Sequence, residues 1–142
     1  MRIILILLAT LLAGPAFANG PGGIGFAQAE EGTWWCRAGS ATEALTCARE
    51  KCVAEAGGQD CLETAWCLPA RWSGLLTVWV GDFHSTQVVC NAPSRKALSE
   101  MFRAVCEESE HANNCDFTTT IDPDGTERDD ADETFPGPTA AQ

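Results

Sequence analysis

The sequence predicts an α+β fold: two tandem strand-strand-helix-strand units that share one core and are held by disulfides. Three observations carry that expectation. Cys36, Cys52 and Cys61 recur as Cys90, Cys106 and Cys115, so one cysteine spacing appears twice at a period of 54 residues. Four more identities fall on the same offset: Ala38 with Ala92, Ser40 with Ser94, Arg49 with Arg103 and Thr64 with Thr118. In each copy a β-rich pair of segments precedes a helical pattern, and a further strand follows it.

Along the chain, residues 1–18 read as a signal peptide. Met1-Arg2 gives a positive start, Ile3 to Ala13 is apolar except for Thr10, Gly14-Pro15 breaks a helix, and Ala16-Phe17-Ala18 has the small-x-small pattern of a cleavage site. The apolar run is too short to span a bilayer. No cysteine stands at the cleavage point to carry a lipid, so no membrane anchor is expected after cleavage. The mature chain from Asn19 is therefore expected in the bacterial periplasm or secreted.

The first unit, about residues 22–67, opens on a weak hairpin: Ile24–Ala27 and Thr33–Cys36 around Glu30-Glu31-Gly32. Ser40 then caps a helix, with Glu43 completing a capping box. Ala44, Leu45, Ala48 and Cys52 form its small apolar face, and Gly57-Gly58 stops it. A strand over Cys61–Trp66 closes the unit, and Leu68–Gly74 is a short join. The second unit, about residues 75–121, repeats the plan. Leu75–Val80 and Gln87–Cys90 flank Gly81-Asp82 and His84-Ser85. Ser94 caps a helix carrying Ala97, Leu98, Met101, Phe102, Val105 and Cys106 on one face. His111–Asn114 stops that helix, and Cys115–Ile121 is the last strand. Residues 122–142 hold seven acids, one arginine and three prolines, which predicts an acidic tail disordered from about Gly125.

All eight cysteines follow the cleavage site, and in an oxidising compartment they read as four disulfides. Cys47 and Cys52 point apart on a helix, and Cys61 and Cys67 stand too far apart along a strand. The repeated spacing favours Cys52–Cys61 and Cys106–Cys115. Met101 and Ile121 lie one period beyond Cys47 and Cys67, which suggests that helix and strand touch there. The expected remaining pairs are Cys47–Cys67 and Cys36–Cys90, with Cys36–Cys67 and Cys47–Cys90 as the rival set.

Several chemistries are disfavoured. Twenty acidic side chains against nine basic ones, a net charge of −11, oppose nucleic-acid binding and docking on anionic membranes. Cysteines engaged in disulfides leave no thiolate nucleophile, and no C-x2-C pair suggests zinc. Asp82, His84 and Ser85 crowd one turn, whereas triad members converge from separate positions. Asp122-Pro-Asp124-Gly125 with Glu133 twelfth resembles part of a calcium loop, but Glu127 stands where that loop needs glycine. The simpler reading is a turn leaving the last strand, with calcium binding by the tail left open. No cofactor or catalytic residue is indicated. Five tryptophans accompany no tyrosine, and Trp34-Trp35 on adjacent strand positions cannot both point inward. Trp34, Trp35 and Trp72 are the candidates for partner binding.

Ile24–Ala27, Ser40–Cys61, Leu75–Gly81 and Pro93–Cys115 together resemble a bacterial secreted family, a domain of unknown function with a duplicated hairpin-helix-strand unit and disulfide bonds. The resemblance implies an extracytoplasmic location and a compact disulfide-bonded fold, and it carries no catalytic residues over. The expected function is a non-enzymatic binding or interaction module of the cell envelope, recognising a protein or an envelope glycan. The alternatives are an inhibitor or immunity-type protein against a secreted enzyme, and a small periplasmic hydrolase.

Overall fold

The computed structural model describes residues 22–57, 60–128 and 133–140. The proposed signal peptide lies outside the described residues. Among the described residues the fold is α+β, with two antiparallel sheets and two helices. Strands β1 (Gly23–Ala29) and β2 (Gly32–Ala38) form a hairpin, followed by helix α1 (Ala41–Glu55) and strand β3 (Leu62–Cys67). A second hairpin, β4 (Trp72–Val80) and β5 (Phe83–Ala92), leads to helix α2 (Arg95–Glu108) and strand β6 (Asn114–Ile121). Two short strands, β7 (Glu127–Arg128) and β8 (Glu133–Pro136), end the described chain. The first sheet has the order β2-β1-β3. The second has the order β5-β4-β6-β7, with β8 also on the β6 edge.

Side-chain alternation turns these elements into four layers. On β1, Gly25 and Ala27 face α1, while Ile24 and Phe26 face the second sheet. Ala27, Ala48, Cys52, Ala56 and Cys61 fill the space between α1 and the first sheet. Ile24, Phe26, Leu75 and Ile121 fill the space between the two sheets. Leu76, Val78, Leu98, Phe102 and Phe117 fill the space between the second sheet and α2. The order is helix, sheet, sheet, helix, and the core is divided into three apolar layers. As expected from the sequence, the two halves share a core, in the layer where Ile24, Phe26 and Cys67 meet Leu75 and Ile121; each helix adds an apolar layer of its own on the outer face of its sheet.

Both helices start as their caps dictate. The Ser40 hydroxyl oxygen accepts from the Glu43 amide, and that of Ser94 from the Ala97 amide. The Ser40 hydroxyl also donates to the Glu43 carboxylate at 2.9 Å. Helix α1 ends just before Gly57, at φ +65°. Helix α2 stops at Glu108, short of His111–Asn114, because the Ser109 hydroxyl and amide both turn back onto its last carbonyls.

The cysteines form four disulfides: Cys36–Cys47, Cys52–Cys61, Cys67–Cys90 and Cys106–Cys115. The two spacing-based pairs are those predicted. The expected Cys47–Cys67 and Cys36–Cys90 do not form, nor does the rival set. Cys36 and Cys47 belong to the α1 layer, whereas Cys67 and Cys90 belong to the layer between the sheets. The first sheet itself therefore separates Cys36 and Cys47 from Cys67. A bulge in β5 accounts for the difference. Between the pairs Trp72↔Ala92 and Gly74↔Val89, β5 advances by one residue more than β4. Asn91 sits there at φ +66°. One extra residue reverses the face of everything before it, so Cys90 points inward although Cys36, 54 residues earlier, points to its helix.

Within the segment expected to be disordered from Gly125, the described residues 127–128 and 133–136 are strands. Both pair with β6, and Phe135 is buried against α2 and the second sheet. The acidic composition concealed how these acids are matched. Asp122 meets Arg128 at 2.8 Å, and Glu133 meets Arg95 at 3.1 Å. Among the described residues no helix is long and apolar enough to cross a membrane.

Candidate functional site

The three tryptophans singled out by sequence do not form one patch. Trp72 packs on the α2 layer, with the Arg128 guanidinium 5.9 Å from its ring centre. Trp34 and Trp35 point to opposite faces of β2, Trp34 toward the α1 layer and Trp35 toward the layer between the sheets. Both nevertheless border one cavity of about 270 Å³ at the edge of the first sheet, together with Thr33, Lys51, Glu55 and Glu127. The indole N–H of Trp34 donates to Glu55 at 2.6 Å. The Lys51 ammonium donates to the Trp35 carbonyl at 3.2 Å and lies 5.5 Å from the centre of that residue's ring. Since β2 is an edge strand, Lys51 also occupies an outward carbonyl that another strand would need for pairing.

A larger cleft, about 700 Å³, lies between the ends of the two hairpins. Gln28, Glu30 and Glu31 line it from the first hairpin, and Asp82, Phe83 and His84 from the second. One side chain ties the two walls together. The Gln28 amide donates to the Thr33 hydroxyl and to the Thr86 carbonyl, each at 3.1 Å. Phe83, beside the Gly81-Asp82 turn, is 82% exposed. Burying it in a partner would remove apolar surface worth about 2 kcal/mol from water.

Neither Gln28 nor Phe83 is among the residues expected from sequence. An aromatic residue directly after a turn pair was a readable signal for Phe83. Nothing local marks Gln28, whose partner Thr86 is 58 positions away. Asp82, His84 and Ser85 line the cleft but form no relay. The His84 ring lies 4.8 Å from that of Trp79, whose indole N–H donates to Asp116 at 2.7 Å.

Two acids of the calcium-like segment, Asp122 and Glu133, are engaged within the fold. One Asp122 oxygen accepts from the amides of Asp124 and Thr126, each at 3.0 Å, and the other accepts from Arg128. Burial alone would raise the Asp122 pKa, but these hydrogen bonds outweigh it and hold the carboxyl below its ordinary value. Glu133 accepts from the Ser99 hydroxyl and from Arg95, and the Ser99 bond is the main cause of its lowered pKa. Among the described residues no group of His, Cys, Asp and Glu is placed to hold a metal. All eight cysteines are in disulfides. Comparison with protein-family models, with curated proteins and with solved structures finds no match to this chain.

Proposed function

We propose that the protein is an exported, non-enzymatic binding module of the cell envelope that meets its partner at the hairpin ends. The supporting observation is the cleft itself: two hairpins from different sheets, tied by Gln28, frame a concavity beside an exposed phenylalanine. Its volume falls in the range of about 300–1,000 Å³ typical of ligand sites. The four disulfides are compatible with an extracellular setting, and the reading includes cleavage after Ala18 and kinship with the bacterial secreted family it resembles. A second reading, an inhibitor of a secreted enzyme, is favoured by the tip Gly81-Asp82-Phe83. An exposed aromatic next to an acid suits insertion into a basic cleft.

The proposal also includes an internal duplication. The helix positions buried against the sheets, Ala44, Ala48 and Cys52 in α1 and Leu98, Phe102 and Cys106 in α2, lie at the 54-residue offset of the cysteines. In each half the first strand is flanked by the second and the third.

The test is affinity capture from envelope extract with the oxidised chain immobilised, using Phe83→Ser and Trp35→Ala as companions. Partners retained by the parent and by Trp35→Ala, and lost by Phe83→Ser, are expected. Equal recovery by all three would remove the hairpin end from the account.

A further inference from the structure

The cavity beside Trp34 and Trp35 is not used by the hairpin-end reading. Three elements build it: Thr33, Trp34 and Trp35 from β2, Lys51 and Glu55 from α1, and Glu127 at β7. We propose that this cavity is a saccharide subsite that holds one ring of a neutral glycan. It stands or falls independently of the hairpin-end cleft.

The charges on its wall decide among ligand classes. A cationic ligand would compete with Lys51, which already lies over the Trp35 ring that would receive it. An anionic ligand would meet the carboxylates of Glu55 and Glu127. An extended peptide would add to the β2 edge through outward carbonyls, and the Trp35 carbonyl is already taken by Lys51. A neutral polyol brings no charge against these groups and needs no strand edge, and with Lys51 over the Trp35 ring it is the Trp34 indole that is left to meet it. Its hydroxyls donate to the carboxylates, which are the strong acceptors, and accept from Lys51. The weakly positive C–H face of a sugar ring suits the electron-rich face of an indole. The wall is also pre-set, because Glu55 fixes the Trp34 indole and Lys51 is anchored on β2. Little side-chain freedom then remains to be lost on binding.

The test follows the indole N–H signals of the five tryptophans by NMR in the oxidised full chain. Cellotetraose and tetra-N-acetylchitotetraose are the probes, with tetralysine as the charged comparison. The Trp34 and Trp35 signals should move along a saturating curve at millimolar concentration of at least one sugar, while those of Trp72 and Trp79 stay in place. Trp34→Ala should abolish the response, with the Trp72 and Trp79 signals reporting that the chain is folded. Glu127 is exposed, so Glu127→Gln should keep the fold and weaken binding about tenfold. The proposal is overturned by silence toward both sugars, by shifts confined to Trp72 and Trp79, or by a Glu127→Gln curve matching the parent. Movement of the Trp34 and Trp35 signals with tetralysine alone overturns it as well.

Discussion

The two halves solve one packing problem in opposite ways. Helix α1 presents Ala44, Ala48 and Cys52 to its sheet, and α2 presents Leu98, Phe102 and Cys106, each 54 residues later. Small side chains let α1 lie directly on β1. A methyl group at Gly25 would stand 2.7 Å from the carbonyl carbon of Ala44. On the other side, large side chains fill the space. A methyl group at Gly74 would run into the Thr119 carbonyl oxygen of β6 and, from the helix, meet the Phe102 ring at 3.0 Å and Leu98 at 3.3 Å. The α1 half buries less apolar side-chain volume and ties its helix to its sheet with two disulfides, Cys36–Cys47 and Cys52–Cys61. The α2 half has one such bond, Cys106–Cys115, and adds Phe135 from the C-terminal segment. Cross-links and apolar volume are thus alternative ways of fixing a helix to a sheet in a chain this small.

The strongest way to break this comparison is Phe102→Ala, which should cost about 3–5 kcal/mol in urea unfolding because it empties a fully buried site. Ala48→Gly, at the matching position of α1, should cost only about 1 kcal/mol. Similar losses at both sites would mean that the α1 layer holds apolar packing energy that its alanines do not suggest.

Next in size is Cys36→Ala combined with Cys47→Ala. Opening a loop with a sequence separation of 11 should cost about 2–3 kcal/mol. The loss should appear as faster amide exchange in α1, with α2 unchanged. An exchange increase spread evenly over both helices would show that the halves do not behave separately.

Acid should act on the opposite half. Asp122 and Glu133 both have folded pKa values below their unfolded ones. Their stabilising contribution is complete above the ordinary carboxyl range, near pH 4, and is lost as pH falls through the lower folded values. Below about pH 4 the pairing of residues 133–136 with β6 should loosen before the disulfide-bonded α1 half does. Amide exchange against pH would reveal this, and simultaneous loosening of both halves would contradict it.

The smallest effect should be the most symmetric. Ser40→Ala and Ser94→Ala each remove a helix N-cap and should each cost about 1 kcal/mol. A clear inequality in thermal unfolding would sharpen the comparison, since it would expose a difference in how firmly each helix start is otherwise held.

What the sequence disclosed was what is locally encoded. Ser40 with Glu43, Ser94, and the spacing of Cys52–Cys61 and Cys106–Cys115 each lie within a few residues of what they bind or bridge. The order of strands and helices followed from the same local signals. The faces of strands did not, because a single residue, Asn91, reverses one of them and no periodicity reports it. The paired C-terminal strands escaped notice for a related reason. Their anchor is one phenylalanine among acids, and the matching Ser99, Arg95 and Arg128 signal only after folding. The hairpin-end cleft joins residues more than fifty positions apart, and the tryptophan cavity joins three elements. Of the cavity's wall, the sequence had pointed only to Trp34 and Trp35.

In the four-layer order Cys36 faces its helix and Cys90 faces the other sheet. Proteolysis of the non-reduced chain followed by mass spectrometry of the linked peptides tests that order most directly. Peptides joining Cys36 to Cys47 and Cys67 to Cys90 are predicted. Peptides joining Cys36 to Cys90 and Cys47 to Cys67 would place those cysteines on the wrong faces and contradict the layer order.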